Sequence, residues 1–457
     1  MTVRNPWNDE VLREIAWDDA SALESALEKA ALAAPVMARA SRHERSSWCA
    51  SIAAGLEARL EEFAQCIVAE AGKPIRFARD EVRRAIATFS LAAGEALRFG
   101  GEVVPLDIGA ASAGYLGYTS RVPVGPVAAI TPFNFPINLV AHKVAPALAV
   151  GNPIVLKPAP ATPLTSMLLA ELVEAAGVPQ GGFVCLNLEI PGIEALVEDP
   201  RIKFVSFTGS AKVGWQLKSR VPHKRVALEL GGNAAAIVHS DANLGHCIPR
   251  LAMGGYAYAG QVCISVQRIL VHRPIYQTFR ERFVAEVESL GVGDPSLETT
   301  VVGPLIHARE VERMDKWVTE ARDAGAHLLT GGEARPPVYL PTVLENVPPQ
   351  CSVSGQEVFG PVTVLSAYDE FPEALARVND SQYGLQVGIF TRDLERVLRS
   401  HQEAEVGAVI VNDYPTFRVD NMPYGGVKQS GFGREGVKYT MEEMTEIRLL
   451  AINTNPL

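Results

Sequence analysis

Three polar residues have neighbours that suit a reaction at a carbonyl carbon. Cys263 follows Gly260 among small and polar residues, so an accessible loop is expected, although a lone cysteine is more often a small buried hydrophobe. Glu229 closes an apolar stretch, where desolvation would raise its pKa and make it a usable base; a strand-end carboxylate paired with a lysine is the alternative. Asn134 lies between aromatic residues and is either a turn former or an oxyanion donor.

A second group of residues could bind a nucleotide. The segment 208–214 follows an expected strand and opens an expected helix, and free N–H groups at a helix start suit a pyrophosphate. It differs from the usual Gly-x-Gly-x-x-Gly pattern, so taken alone it favours a plain turn. Lys157 ends a neighbouring strand and could bond ribose hydroxyls or a phosphate, although a solvated lysine is the default interpretation.

The elements that would position these residues alternate between strand and helix from Gly125 onward. Such alternation predicts a parallel sheet with ligands at the carboxyl ends of its strands. We expect Pro146 to kink or break the first helix, and Thr162 to cap the second. The expected strands are 125–130, 152–157, 203–207 and 226–230.

Helical spacing dominates the first hundred residues, over 19–33, 42–71 and 80–99. The stretch 115–122 alternates without a purely apolar face. It is interpreted either as a ribbon paired with another chain or as a surface hairpin. After Gly232 a second α/β region is expected, with helices over 243–258 and 276–290, a strand over 268–272 and a surface loop over 331–341.

Composition narrows the functional class. The chain has 457 residues, enough for two or three domains, and a net charge of −10 that argues against nucleic-acid binding. Its six cysteines show no metal-ligand spacing, so no metal site is expected. The first residues lack a signal-peptide pattern, and no apolar run is long enough to span a bilayer. A soluble cytoplasmic protein without a membrane partner is expected.

Seven short blocks occur in a fixed order along the chain. They are Thr131 to Pro136, Lys157-Pro158, Phe207 to Ser210, Leu228 to Gly232, Gly260 to Cys263, Glu357 to Pro361 and Gly431 to Gly436. Together they resemble the aldehyde dehydrogenase superfamily, from about residue 20 to the C-terminus. The resemblance looks closest to the subgroup acting on lactaldehyde and other small hydroxylated or anionic aldehydes.

The resemblance implies a role for each matching residue. Cys263 is the nucleophile, Glu229 activates the water that hydrolyses the thioester, and Asn134 with the N–H of Cys263 forms the oxyanion hole. The implied cofactor is NAD or NADP, with Glu357 on the nicotinamide ribose and Lys157 on the adenosine ribose. The implied cofactor-binding residues are Thr131, Pro132, Phe133, Lys157, Pro160, Phe207, Thr208, Gly209, Ser210, Glu357 and Phe359.

Several positions bear on the choice of cofactor and of substrate. Similar enzymes that prefer NAD often carry a Glu where Pro160 stands, so the expected repulsion of a 2′-phosphate is absent and both cofactors are expected to work. Arg418 could hold an anionic substrate tail, with a structural ion pair as the alternative. His142 and Arg268 are weaker candidates for that role. Val262 replaces an arginine of phosphonoacetaldehyde-specific relatives, which counts against that substrate.

The implied fold is α/β and aldehyde dehydrogenase-like, with three parts. A Rossmann-type NAD(P)-binding domain covers 1–107 and 126–232, an α/β catalytic domain covers 233–430, and a small β oligomerisation arm covers 108–125 and 431–457. A homodimer or homotetramer follows by resemblance, with 446–452 as an edge strand that could join a partner's sheet. The alternatives are a CoA-acylating semialdehyde dehydrogenase, disfavoured by Glu229, and a catalytically silent structural or binding relative.

Overall fold

The computed structural model describes residues 1–455, and its N-terminal part is mainly helical. The expected helices are present, while a short antiparallel hairpin over the first residues was not predicted. The elements are β1 Thr2–Arg4, β2 Val11–Glu14, α1 Ala20–Arg39, α2 Arg42–Ala58, α3 Leu60–Ala71, α4 Ile75–Arg98, β3 Val103–Pro105 and β4 Tyr115–Pro123.

A parallel sheet follows, as the alternating sequence predicted. The chain adds β6 and β7 on one side of β5 and then β8 and β9 on the other, so the carboxyl ends of β5 and β8 flank a topological switch point. The elements are β5 Val127–Ile130, α5 Asn138–Val150, β6 Ile154–Lys157, α6 Leu164–Ala175, β7 Phe183–Cys185, α7 Ile190–Glu198, β8 Phe204–Thr208, α8 Ala211–Arg220 and β9 Arg225–Glu229.

The second α/β region forms a seven-stranded sheet in the order β12-β15-β16-β11-β10-β18-β19, parallel except for β12. The elements are β10 Ala234–Val238, α9 Leu244–Tyr256, β11 Val266–His272, α10 Arg273–Glu288, α11 Ala308–Asp323, β12 His327–Thr330, β13 Ala334–Arg335, β14 Val338–Tyr339, β15 Thr342–Glu345, α12 Ser352–Gly355, β16 Val362–Tyr368, α13 Phe371–Asn379, β17 Tyr383–Gly384, β18 Gln386–Phe390, α14 Leu394–Glu403 and β19 Ala408–Val411.

The C-terminal segment returns to the first half of the molecule. Its last strand pairs along its whole length with β4, which also pairs with β3, so a three-stranded antiparallel sheet forms with the last strand at its edge. The final residues of the expected arm, 456 and 457, lie outside the described residues. The elements are β20 Val427–Lys428, β21 Gly431–Phe432, α15 Val437–Glu443 and β22 Thr445–Asn453.

β21 bears on the expected boundary of the arm. Gly431 and Phe432 pair antiparallel with the end of β9, which makes β21 a sixth strand of the first sheet. This pairing brings the chain after β21 close to Glu229. The domain boundaries stay a prediction, and these two residues belong to the sheet that carries β5 to β9.

Two local expectations are wrong, and one of the two outcomes expected at Pro146, a break, does not occur. Helix α5 continues through Pro146, because the whole helix is buried and its packing outweighs the cost of an interior proline, about 3 kcal/mol. The Thr162 hydroxyl has no hydrogen-bond partner among residues 1–455. Instead the buried Glu70 carboxylate accepts from the backbone N–H groups of Leu164 and Thr165, at 2.7 and 3.0 Å. The expected loop over 331–341 contains the β13–β14 hairpin.

No helix within residues 1–455 is both long enough and apolar enough to cross a membrane.

Candidate active site

A cavity of about 310 Å³ lies at the carboxyl ends of β8 and β9. All three predicted catalytic residues line it, together with most of the predicted cofactor residues. Leu139, Leu230 and Gly231 complete its wall. The predicted residues in the wall are Pro132, Phe133, Asn134, Thr208, Gly209, Ser210, Glu229, Cys263, Glu357 and Phe359.

Cys263 sits after a tightly folded loop that leads out of helix α9. Tyr258, Ala259 and Gly260 have consecutive left-handed φ values of 54°, 53° and 67°. At Gly260 a side chain is impossible, because its Cβ would lie 2.3 Å from the carbonyl oxygen of Gly360. The loop therefore folds back on itself and directs the next residues, including Cys263, toward the cavity.

Among residues 1–455, the Cys263 thiol lies within hydrogen-bond distance of the Tyr424 hydroxyl, at 3.0 Å between Sγ and Oη. Burial and the neighbouring Glu229 carboxyl raise the pKa of the Cys263 thiol, and the Tyr424 hydroxyl opposes that rise. The thiol therefore rests protonated and needs a nearby base to become a thiolate.

Glu229 ends strand β9 and is buried, with 3% of its surface exposed. Neither carboxyl oxygen has a hydrogen-bond partner among residues 1–455. Burial and the negative charge of Glu435 raise the pKa of Glu229, against the cations of Arg418 and Lys143. A desolvated carboxyl with free oxygens beside a thiol is suited to accept a proton near neutral pH.

Asn134 lies in the turn between β5 and α5 and is also buried. Its Nδ2 donates one hydrogen bond to the carbonyl oxygen of Gln261, at 2.9 Å, which ties this turn to the Cys263 loop. An amide nitrogen carries two hydrogens, so the second remains available to a ligand in the cavity. A buried amide with a free hydrogen in the same cavity wall as a thiol is suited to act as an oxyanion donor.

Glu357 and Phe359 enter the cavity from the segment between α12 and β16. Glu357 accepts a hydrogen bond from the Gly232 N–H at 3.0 Å, and burial raises its pKa to about 7. A Cβ on Gly231 would lie 2.3 Å from Glu357 Oε2, so a larger residue there would have to displace the Glu357 carboxylate. The Phe359 ring meets the Phe133 ring edge-on, with centroids 5.9 Å apart.

The start of helix α8 supplies a cradle for phosphate groups. Ser210 is its N-cap and makes no capping hydrogen bond, so the first N–H groups of the helix are free. The buried Thr208 hydroxyl has no partner in the described chain. These unused donors beside the cavity fit the pyrophosphate of a dinucleotide.

Four predicted cofactor residues, Thr131, Lys157, Pro160 and Phe207, do not line this cavity. Lys157 ends β6 with 5% exposure, and burial lowers its pKa to about 8. The backbone N–H of Thr131 donates to the Lys157 carbonyl oxygen at 3.2 Å. Phe207 is buried within β8, and Pro160 is exposed. A lysine without a carboxylate neighbour fits a ribose or a ribose phosphate.

A buried group of charges lies behind Cys263 and Glu229. Glu435 accepts from Lys143 at 2.8 Å and from Arg418 at 3.2 Å. Burial alone would raise the pKa of Glu435. The cations of Lys143 and Arg418 nevertheless hold this pKa below its ordinary value. The Arg418 guanidinium also lies 3.6 Å from the centre of the Tyr424 ring. Arg418 is therefore separated from the thiol by a single aromatic side chain.

The three candidates for an anion site differ in their surroundings. Arg418 forms the ion pair described above, so the structural alternative for this residue is realised with Glu435. His142 is fully buried, bonds Asp420 at 2.8 Å, and has a pKa lowered by burial, which leaves it neutral. Arg268 donates hydrogen bonds to Asn233 and to the Arg377 carbonyl oxygen near the end of α13. These bonds give Arg268 a structural role.

Sequence reasoning missed three residues that contact the site. Tyr424 was visible only as part of the block Met-Pro-Tyr-Gly-Gly, Lys143 as a charged residue in an apolar helix, and Glu435 as part of the block after Gly431. A lysine inside a fully apolar helix is a usable signal, since it needs a buried partner. The contact of Tyr424 with Cys263 left no signal in the sequence.

Comparison with known proteins agrees with this site. A profile of the aldehyde dehydrogenase family matches residues 1–450. The 3-sulfolactaldehyde dehydrogenase of Priestia aryabhattai is 48% identical over 399 residues, which cover 87% of this chain and 84% of that protein.

Two solved structures superimpose closely. Aldehyde dehydrogenase 21 from Physcomitrella patens, in complex with the reaction product succinate, has a TM-score of 0.98 and 43% identity, covering 99% of this chain and 95% of that one. The glyceraldehyde-3-phosphate dehydrogenase of Methanocaldococcus jannaschii, complexed with NADP, has a TM-score of 0.95 and 41% identity, covering 99% of both chains.

The chain therefore belongs to the aldehyde dehydrogenase family and is an oxidoreductase. The expected α/β fold and the expected family are both confirmed.

Proposed function

We propose that this enzyme oxidises a small anionic or hydroxylated aldehyde to the carboxylic acid, with NAD or NADP as cofactor. The observation that supports it most directly is the meeting of Cys263, Glu229 and Asn134 in one cavity with Glu357 and Phe359. These five residues come from four separate segments of the chain. A nucleophile, a base, an oxyanion donor and a nucleotide cradle together form the set that thioester-forming oxidation requires.

The proposed reaction begins when Glu229 takes the thiol proton and the Cys263 sulfur bonds the aldehyde carbon. The carbonyl oxygen becomes an oxyanion, which accepts hydrogen bonds from Asn134 Nδ2 and the Cys263 N–H. The chemistry that the bound cofactor supplies is hydride acceptance, which leaves a thioester on Cys263. Glu229 releases the thiol proton to solvent and then deprotonates a water, whose oxygen bonds the acyl carbon. The carbon–sulfur bond breaks and the acid is released.

The proposed cofactor contacts follow the wall of the cavity. Glu357 would accept from the nicotinamide ribose, Ser210 and the start of α8 would bind the pyrophosphate, and Lys157 would meet the adenosine ribose. Because Pro160 replaces a carboxylate that would repel a 2′-phosphate, NAD and NADP are both expected to work. Initial rates with each cofactor test this, and undetectable turnover with NADP beside NAD turnover would exclude dual use.

The anionic substrate is proposed from the buried charges. Lys143 and Arg418 carry two positive charges and are both paired with a single carboxylate, Glu435. One positive charge is therefore left over once Glu229 has taken the thiol proton. An isolated buried charge is costly, so an anionic ligand beside it would be stabilised.

The relatives support the same class of substrate. Their names and ligands include a sulfonated lactaldehyde, glyceraldehyde 3-phosphate and the dicarboxylate succinate. Each carries an anionic group besides the reacting carbon. Arg418 is the residue we propose for this group, since it is buried next to Tyr424 and its Nε has no partner in the described chain. His142 is not proposed as an anion ligand, because it is neutral and bonded to Asp420.

The test compares kcat/KM for 3-sulfolactaldehyde, succinic semialdehyde, lactaldehyde and propanal. Arg418→Gln should lower kcat/KM for the anionic aldehydes by about 10- to 100-fold, corresponding to about 1.4–3 kcal/mol for a charged hydrogen bond, with a far smaller effect on propanal. Arg250→Gln is the matched control, because Arg250 also stacks on a tyrosine and pairs with an aspartate, Asp413, away from the cavity. An unchanged ratio of anionic to neutral substrates in Arg418→Gln would refute the assignment.

We also propose that the enzyme is a homodimer or homotetramer in the cytoplasm. The support is strand β22, an edge strand that leaves Ile447, Leu449 and Leu450 more than half exposed, at 62%, 52% and 58%. Exposed apolar side chains on an unpaired edge invite pairing with another chain. Light scattering at several concentrations tests it, and a monomer at every concentration would contradict it.

A further inference from the structure

Lys73 is buried just before helix α4, with 1% of its side chain exposed. Its ammonium contacts the Glu81 carboxylate, which is itself fully buried. It also lies 3.7 Å from the centre of the Phe135 ring and 4.6 Å from the centre of the Tyr258 ring. A charged side chain is rarely buried without a reason, and the proposed chemistry does not use this one.

The two rings belong to the two segments that carry the proposed oxyanion donors. Phe135 is the residue after Asn134, and Tyr258 begins the left-handed loop that leads to Cys263. Within residues 1–455, one hydrogen bond joins Asn134 to that loop directly, from Nδ2 to the Gln261 carbonyl oxygen. Lys73 is therefore a second link between the two segments, and it is not part of the cavity wall.

Glu81 and Tyr258, which contact Lys73, are themselves hydrogen-bonded to backbone groups. Glu81 Oε1 accepts from the N–H groups of Ile137 and Asn138, at 2.9 and 3.1 Å, at the start of helix α5. The Tyr258 hydroxyl donates to the Ala71 carbonyl oxygen at 3.1 Å, two residues before Lys73. The ammonium is thus held from both sides by groups with fixed positions.

We propose that Lys73, Glu81, Phe135 and Tyr258 form a clamp that sets the position of the Asn134 amide relative to the Cys263 N–H. The inference rests on the proposed function, because it concerns how the oxyanion donors are held. Lys73 touches neither substrate nor cofactor and is a positioning residue. Tyr258 and Ala259 have a left-handed backbone conformation, which persists only where the surrounding structure stabilises it. The clamp provides this stabilisation.

The test is Lys73→Met, which keeps most of the apolar stem and removes the charge. Single-turnover formation of NAD(P)H at saturating cofactor and aldehyde should slow by about 100-fold, the effect of misplacing a reacting or donor group by about 1 Å. The KM for aldehyde and the rate of Cys263 alkylation by iodoacetamide should stay within about threefold, since the thiol and its contact with Tyr424 are untouched.

Two further variants keep the test decisive if Lys73→Met folds poorly. Lys73→Met with Glu81→Gln removes both charges while an amide oxygen can still cap α5, and Phe135→Leu removes one ring without disturbing any charge. Both should slow the single turnover. Lys218→Met is the control, because Lys218 also lies over an aromatic ring, that of Phe432, outside the clamp.

A lower unfolding midpoint with an unchanged single-turnover rate in all three variants would overturn the clamp and leave Lys73 a purely structural residue. A KM effect equal to the rate effect would also overturn it, because the loss would then be in binding. The wild-type enzyme is the separate reference: failure to turn over any aldehyde would refute the proposed function itself, and the clamp's catalytic role with it.

Discussion

Removing the Tyr424 hydroxyl should make the catalytic thiol harder to ionise. The variant Tyr424→Phe deletes the group that lies 3.0 Å from Cys263 Sγ and leaves the ring, which packs with Ile264 and Leu385. The face that meets the Arg418 guanidinium is also retained. The substitution therefore isolates one hydrogen bond to the sulfur.

The direction and size of the effect follow from which form of the sulfur accepts that bond. A hydroxyl donates to a thiolate, so losing it raises the pKa of Cys263, in the same direction as burial and the Glu229 charge. A hydrogen bond to a charged group contributes about 1.5–3 kcal/mol. At about 1.4 kcal/mol per pKa unit, the pKa should rise by about one to two units. Near neutral pH the thiolate fraction then falls by about 10- to 100-fold.

The assay is the rate of Cys263 alkylation by iodoacetamide as a function of pH, with the modified residue identified by mass spectrometry. The midpoint should move to higher pH in Tyr424→Phe, and kcat/KM at pH 7 should fall with the thiolate fraction. Tyr368→Phe is the control, because its hydroxyl bonds His239 at 2.8 Å, outside the cavity. An unmoved midpoint in Tyr424→Phe would show that the hydroxyl does not stabilise the thiolate.

Other predictions test the base and the cofactor contacts. Glu229→Gln should slow both the first turnover and the steady state, because Glu229 takes the thiol proton and later the water proton, and steady-state kcat should fall by about 10²- to 10⁴-fold; unchanged steady turnover would contradict the role of Glu229. Because the pKa of Glu357 is about 7, its carboxylate forms as pH rises, so the KM for cofactor should fall between pH 6 and 8, and Glu357→Gln should flatten that dependence. Gly231→Ala places a Cβ 2.3 Å from Glu357 Oε2 and should raise the KM for cofactor with normal alkylation of the thiol; a wild-type KM would show that Glu357 can move aside. Lys157→Met should raise the KM for NADP more than that for NAD, measured from initial rates, and equal changes would place the lysine away from the 2′-phosphate.

Much of the fold follows from local sequence. The strands β5, β6, β8 and β9 were predictable because short apolar runs end at glycine, proline or polar residues, and helices separate them. The order of the blocks that include Glu229 and Cys263 predicted the family without any structure. Helix capping was less predictable. Glu70, which lies in helix α3, caps helix α6 in place of the expected Thr162. A long-range cap leaves no local pattern to read.

The sequence by itself determined the residue types for the chemistry: a cysteine, a strand-end glutamate, an amide and a glycine-rich turn in a fixed order. Only the tertiary structure decided how they act together. It placed Tyr424 on the Cys263 sulfur, and Glu435 beside Arg418 and Lys143. The reason is physical: a pKa depends on burial and on charges a few ångströms away. Two of these distances are set by the packing of segments more than a hundred residues apart: Cys263 and Tyr424 are separated by 161 positions, and Lys143 and Glu435 by 292.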